Sequence, residues 1–134
     1  MGISYRIDKT DQLITATAHG DVSFQDYRAL LAVMIEDPDF DPEYDRLWDL
    51  RQGDPVLSAD EVRGVAKVVA RVVGGRRAAI VAPGDVAYGL SRMYSVFLED
   101  AGIDVQPFRT LGEATTWLKT PAVPPLAQSG VNAA

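Results

Sequence analysis

The chain contains no cysteine. Disulfides, thiolate metal sites and a cysteine nucleophile are therefore excluded, and the composition fits a reducing compartment. Histidine occurs once, as His19 beside Gly20-Asp21. It has no Glu or His partner at metal-ligand spacing and no serine at nucleophile-elbow spacing, so it reads as a structural or exposed histidine. A basic excess is also missing. Lys and Arg total 13 against 19 Asp and Glu, a net charge of −6. Neutralising nucleic-acid phosphates needs a basic face, and the one basic cluster, Arg76-Arg77, immediately precedes an apolar run. No run approaches the ~18 uncharged apolar residues of a membrane span. The residues Met1 to Arg6 lack the apolar stretch of a signal peptide, and Met-Gly lacks the Ser/Thr that myristoylation would want. The cytoplasm is the expected location. Gly74-Gly75 and Pro83-Gly84 match neither a Walker A loop nor GxGxxG, so no cofactor is expected. Asp37, Asp39, Asp41, Glu43 and Asp45 alternate with other residues, but the glycine and terminal glutamate of a calcium loop are absent. A solvated acidic loop with no metal is expected, and no catalytic residue is assigned.

What is present fits one domain. The 134 residues are 47% apolar and 24% charged, ordinary values for a globular chain, and enough to bury a self-sufficient core. Ile3 to Ile7 and Leu13 to Ala18 read as two strands around the polar turn Asp8-Lys9-Thr10-Asp11, with His19-Gly20-Asp21 ending the second. Ser23 with Asp26 approximates a capping box for a first helix, where Tyr27, Leu30, Leu31, Met34 and Ile35 recur at helical spacing. Asp37-Pro38 stops it. A third strand runs from about Tyr44 to Leu50. Ser58 and Glu61 form a better box for a second helix with the stripe Val62, Val65, Ala66, Val69, Val72 and Val73. Valine is a moderate helix former, but Arg63, Lys67 and Arg71 recur every four residues, which no strand gives. Gly74-Gly75 ends this helix.

Arg77 to Ala82 is a continuous apolar run that suits a central parallel strand. Asp85 is placed to cap a third helix, with Val86, Leu90, Met93, Tyr94, Phe97 and Ala101 on one face and Gly102 as its stop. Gly89 inside that helix costs up to ~1 kcal/mol relative to alanine, which points to close packing or room for a ligand. Ile103 to Phe108 forms a fifth strand, at an edge by its Pro107. Thr110 and Glu113 cap a last helix carrying Leu111, Ala114, Trp117 and Leu118. From Thr120 the chain is uncharged, proline-containing and aperiodic, and reads as a disordered tail over 120–134. The order ββαβαβαβα defines an α/β domain over 1–119. Its sheet has five mostly parallel strands, with one antiparallel, and four helices pack on it.

In open α/β sheets ligands sit beyond the carboxyl ends of the parallel strands. Asp49 and Arg51 follow the third strand, Asp85 the fourth and Arg109 the fifth. Tyr88 and Arg92 lie with Asp85 on one side of the third helix. These six form the candidate ligand or partner edge. Helix capping and partly exposed ion pairs account for the same residues without a ligand.

The order and spacing of several stretches resemble the SpoIIAA-like family. They are His19-Gly20-Asp21-Val22-Ser23, Leu47-Trp48-Asp49-Leu50-Arg51, Arg77-Ala78-Ala79-Ile80-Val81-Ala82-Pro83, Tyr88-Gly89-Leu90-Ser91-Arg92-Met93-Tyr94, and Phe108-Arg109 with Glu113-Ala114 and Trp117-Leu118. These are bacterial STAS-related proteins, similar in fold to anti-sigma-factor antagonists and to lipid-binding CRAL-TRIO domains. The resemblance implies a STAS-like fold and a non-enzymatic regulatory or protein-interaction domain. Anti-sigma-factor antagonists carry a phosphorylatable serine in an Asp-Ser-Ser-Gly-like turn after the third strand. Here Asp49 to Ser58 replaces that turn and the motif is absent. Ser58 is the one positional candidate for phosphorylation, and capping explains it without phosphate.

Two alternatives remain open beside the regulatory reading. A small-molecule or lipid carrier would use an apolar pocket between the sheet and the helices bearing Tyr27, Met34, Met93, Tyr94 and Phe97, although a plain core explains them equally. An enzyme would need the Asp49, Arg51, Asp85 and Arg109 edge for acid–base work. A homodimer through the helix face with Tyr88, Arg92 and Ser95 is a further expectation.

Overall fold

A computed structural model describes residues 2–73 and 77–120. The hairpin forms where alternation predicts it. Strand β1 (Ile3–Asp8) pairs antiparallel with β2 (Leu13–Ser23), from Ile3 opposite Ala18 to Asp8 opposite Leu13. The Asp8 carboxylate accepts the Asp11 amide at 2.9 Å, and Gln12 takes a left-handed φ of 53° to complete the turn.

Helix α1 (Phe24–Glu36) starts on a full capping box: Ser23 accepts the Asp26 amide while the Asp26 carboxylate accepts the Ser23 amide. Tyr27, Leu30, Leu31 and Met34 are buried. The Tyr5 hydroxyl donates to Asp37 at 2.7 Å, fastening the end of α1 to β1. This hydrogen bond pushes the Tyr5 hydroxyl up to about 12 and holds the Asp37 carboxyl below its ordinary value. The acidic loop that follows uses its carboxylates locally. Asp37 and Asp41 accept the amides of Asp39 and Glu43, as turn-forming aspartates do.

Strand β3 (Asp45–Val56) runs well past the expected end at Leu50, and β2 continues through His19-Gly20-Asp21 to Ser23. These two extensions pair with each other in parallel, His19 opposite Gln52 through Ser23 opposite Val56. One extra residue in β3 shifts the register between Thr17 and His19. Gly, Asp and Pro in both segments read as loop. They form strands because Val22 and Pro55 turn inward and are buried. β4 reaches only Asp49 on β3, so the far side of the β3 extension has no ladder for Pro55 to break.

Helix α2 (Ala59–Val72) buries Val62, Val65, Ala66 and Val69 behind the reciprocal Ser58–Glu61 box. Ser58→Ala is expected to lower stability by about 1 kcal/mol, read as an earlier urea midpoint with an unchanged slope. The Gly74-Gly75 stop lies outside the described residues. Strand β4 (Ala78–Val81) is buried throughout. Helix α3 (Asp85–Glu99) departs from the expected face. Its buried residues are Ala87, Ser91, Tyr94 and Leu98, whereas Val86 is 75% exposed and Leu90, Met93 and Phe97 are half-buried. Ser91 hides this centre in the sequence; its hydroxyl is satisfied by the Ala87 carbonyl at 2.7 Å, so it tolerates burial. Ala101 is exposed and lies beyond the helix. A Cβ on Gly89 would meet nothing within 4 Å, so close packing does not explain that glycine.

Strand β5 (Val105–Phe108) lies at the sheet edge, as Pro107 predicts, but starts two residues later than expected. Helix α4 (Leu111–Lys119) is capped by Thr110, which accepts the Glu113 amide. Thr120 closes α4, and the rest of the expected tail lies outside the described residues.

The sheet order is β1-β2-β3-β4-β5, with only β1 antiparallel. Alternation divides its two faces. Ile3, Ile14, Ala16, Trp48, Ile80 and Val105 join the core under α1, α2 and α3. Leu47, Ala79 and Val81 pack on Ala114 of α4, with Trp117 and Phe108 rings 5.6 Å apart beside them. Among the described residues, helix α4 packs on that second face over β3, β4 and β5.

Candidate functional site

The six edge residues resolve into two separate groups and one outlier. In the first, the extra residue of β3 folds Arg51 back on Asp49. Arg51 Nε and Nη2 donate to the two Asp49 carboxylate oxygens at 3.0 and 2.8 Å, and the Arg51 amide donates as well. Asp49 is buried while Arg51 is exposed. The Arg51 hydrogen bonds hold the Asp49 carboxyl below its ordinary value against the opposing effect of burial, with a smaller contribution from His19. A carboxylate lowered in this way stabilises the fold above its unfolded pKa, and the contribution is lost as pH falls through the folded value. In Arg51→Ala, burial acts on Asp49 without its main partner. A carboxyl-carbon NMR titration is expected to place Asp49 below the ordinary aspartate range in the wild type and to raise its midpoint in Arg51→Ala, where the Arg51 amide hydrogen bond remains. An unchanged midpoint would show that Arg51 is not the cause.

In the second group, Arg109 reaches back from the end of β5 to the start of α3. Its Nη1 donates to the Pro83 carbonyl at 3.0 Å and to Asp85 at 2.8 Å, and its guanidinium lies 4.0 Å from the Tyr88 ring centre. Asp85 is therefore not the expected cap. Gly84 occupies the N-cap with no side-chain hydrogen bond, and Asp85 is the first residue of α3. The Asp85 carboxylate accepts from Arg109 instead. The Asp85 side chain is 94% exposed, so this pair adds little stability.

The structure brings Asp85, Tyr88 and Arg109 together across 24 residues of sequence, and joins Asp49 to Arg51. Arg92 is exposed and its guanidinium takes part in neither group. Ser95 donates to the Arg92 carbonyl, and Tyr88 is already engaged by Arg109. Ser58 sits at its N-cap with the hydroxyl accepting the Glu61 amide. Among the described residues no three His, Asp or Glu side chains could share a metal ion.

An apolar cavity lies between β3, β4 and the helices α1, α2 and α3, with a lining that differs from the one the sequence suggests. Of the five residues expected around an apolar pocket, Tyr27 and Tyr94 line it. Met34 is buried in the core, and Met93 and Phe97 pack against that core away from the cavity. Trp48, Leu50, Leu57 and Ser91 complete much of the lining. They come from separate elements, and no spacing in the chain links them.

No known protein family and no curated protein matches this sequence. Solved structures do align with it. An uncharacterised protein of the DUF3478 family with a SpoIIAA-like fold, from Shewanella loihica PV-4, superimposes with a TM-score of 0.60 at 19% identity, covering 87% of this chain and 94% of that one. The Bacillus cell fate determinant SpoIIAA, in its phosphorylated form, aligns with a TM-score of 0.46 at 15% identity over 87% of this chain and 100% of that one. That superposition, with this chain's single antiparallel strand and alternating βα order, shows that this chain has a SpoIIAA-like, STAS-type fold.

Proposed function

We propose that this chain is a non-enzymatic regulatory or protein-interaction domain, and that it docks a protein partner through the edge bearing Arg51, Tyr88 and Arg109. The observation that supports this most directly is the closure of the charges there. Both carboxylates are paired with guanidiniums at 2.8 Å, and Arg51 holds the buried Asp49 carboxyl below its ordinary value, which makes it a weak base. Among the described residues the His19 side chain joins no hydrogen bond that would activate a hydroxyl. What the edge does offer is a fixed, exposed arginine stacked on a tyrosine, and these two residue types anchor protein interfaces.

The test is retention of a stoichiometric partner by the tagged chain in native-cell extract, followed by its affinity for purified variants. Arg109→Ala is expected to weaken binding by about 30-fold, the size of a hot-spot loss of about 2 kcal/mol. Light scattering of the isolated chain distinguishes a foreign partner from a second copy. Finding no stoichiometric partner, together with a saturable small-molecule ligand, would sink the docking reading.

A further inference from the structure

Helix α3 carries an apolar stripe that the fold leaves open. Val86, Gly89, Met93 and Val96 recur at spacings of three and four, with Leu90 and Phe97 just beside them. Val86 is 75% exposed and Val96 59%, while Leu90, Met93 and Phe97 are half-buried. The stripe turns away from the packed centre of α3 at Ala87, Ser91, Tyr94 and Leu98. Open apolar runs of this kind mark interaction surfaces. Gly89 sits in the middle of the stripe, exposed, with open space where its Cβ would be. Its bare backbone lets another main chain come close, a use that offsets the cost of a glycine in a helix.

The stripe is one wall of a groove, and α2 is the other. The Arg63 guanidinium of α2 lies 4.9 Å from the Phe97 ring centre. Beside Phe97, the short side chains of Ala66, Ala70 and Ala101 leave a hollow of about 340 Å3. The α2 wall is mainly of one charge sign, in a chain of net charge −6: Arg63, Lys67 and Arg71 recur along it. Asp60 pairs with Arg63 at 3.3 Å, and Asp100 stands at the rim of the hollow. Among the described residues no carboxylate pairs with Lys67 or Arg71. An occupant complementary to this wall carries acids on its flank toward α2. A second copy packed antiparallel on α3 would set Arg92 beside its own copy and Asp85 beside the copy's Glu99, like charge on like. A flat bilayer cannot follow Leu90 and Phe97, half-buried between the two helices, and an anionic leaflet repels a chain of net charge −6. Val86 to Phe97 spans about 16 Å, or about three turns, and an amphipathic helix has an apolar row of that length and spacing.

We propose that the groove between α2 and α3 docks an amphipathic helix of a protein partner. Its apolar row lies on Val86, Gly89, Met93 and Val96, and its acidic flank runs along Arg63, Lys67 and Arg71. This surface goes beyond the edge bearing Arg51, Tyr88 and Arg109, because Tyr88 lies about a third of a turn round α3 from the stripe.

A displayed library of helical peptides tests this on the full chain. Each member is an amphipathic helix of about four turns, with a leucine row at alternating spacings of three and four. Both flanks carry an even choice of glutamate or lysine. Selection on the wild-type chain is expected to enrich glutamate along one flank. The best peptide, synthesised, is expected to shift the backbone amide signals of Gly89, Met93 and Val96 saturably in proton–nitrogen NMR. Gly89→Gln extends into open space in the free chain, so the fold stays intact, and it is expected to weaken binding about tenfold. Lys67→Glu is expected to weaken it about fivefold and to reverse the glutamate preference in a repeated selection. Arg109→Ala is expected to leave it unchanged. The proposal is overturned if no peptide is enriched, if lysine is enriched as often as glutamate, or if Gly89→Gln binds as the wild type does. A dimer seen by light scattering and dissolved by Gly89→Gln would overturn it in favour of a second copy. Cosedimentation with phosphatidylglycerol vesicles, lost in Gly89→Gln, would overturn it in favour of a membrane. Peptide binding lost in Arg109→Ala but kept in Gly89→Gln would overturn it in favour of the edge. A partner whose affinity ignores Arg109→Ala removes the edge reading and leaves these outcomes unchanged.

Discussion

Gly53→Ala is expected to cost about 3 kcal/mol, the upper part of the range for forcing extra volume into a packed site. A Cβ at this position would lie 2.5 Å from the Ala18 Cβ, 2.7 Å from the Ala18 carbonyl carbon and 2.9 Å from the His19 amide nitrogen. None of these is the free end of a flexible side chain. Relief requires the backbones of β2 and β3 to separate just after the extra residue of β3, where Gly53 pairs with Gly20. The paired extensions position much else. They deliver Ser23 to its cap on α1, bury Val22, and place Pro55 in the cavity wall. They also follow directly on the Asp49–Arg51 pair. Urea unfolding at 25 °C measures the effect, and a fall in Tm of about 10 °C should accompany it. Gly112→Ala is the matched control. Its Cβ would meet nothing within 4 Å in the first turn of α4, so helix propensity should make it neutral or stabilising by up to about 1 kcal/mol. A Gly53→Ala loss below about 1 kcal/mol would show that the two strands are not held in this close approach.

The same strands mark the limit of what the chain discloses locally. Capping is legible because it is written within four residues. The boxes at Ser23–Asp26 and Ser58–Glu61 form as expected, and Thr110 caps α4 with the Glu113 amide. The valine stripe of α2 is legible because Arg63, Lys67 and Arg71 mark its wet face. The extensions of β2 and β3 are not, because each is a strand only in the presence of the other. Gly20, Asp21, Gly53, Asp54 and Pro55 are turn formers when read singly. Topology placed Asp85 and Arg109 just after their strands, where they lie, but it put Asp49 and Arg51 after the third strand, whereas both lie inside β3, which runs on to Val56. The partners of Asp85 depend on β4 and β5 lying side by side, with Val81 opposite Phe108, and that adjacency carries Arg109 to α3. Arg92 shares the helix but not the contacts with Arg109. The cavity was half visible: aromatic residues on two helices suggested it, but Trp48, Leu50 and Ile80 of its wall are strand residues that read as ordinary core.

Leu98→Ala is expected to destabilise the chain by about 3 kcal/mol, within the range for truncating a fully buried leucine, whereas Val86→Ala on the same helix should change stability by less than about 0.5 kcal/mol. Leu98 is 1% exposed and Val86 75%. Hydropathy alone ranks these substitutions as near equals, because both residues fall on apolar positions of a broad stripe. The packed centre of α3 instead follows Ala87, Ser91, Tyr94 and Leu98. That row faces α2 and the sheet, and its one hydroxyl is silenced by the helix backbone. Met93→Ala, at a half-buried position, should fall between the two. Urea unfolding of the three variants orders them directly. A larger loss in Val86→Ala than in Leu98→Ala would mean that α3 is rotated from the orientation described. Rotation would also carry Ser91 and Tyr94 out of the cavity wall, so the order of three stability changes also tests that lining.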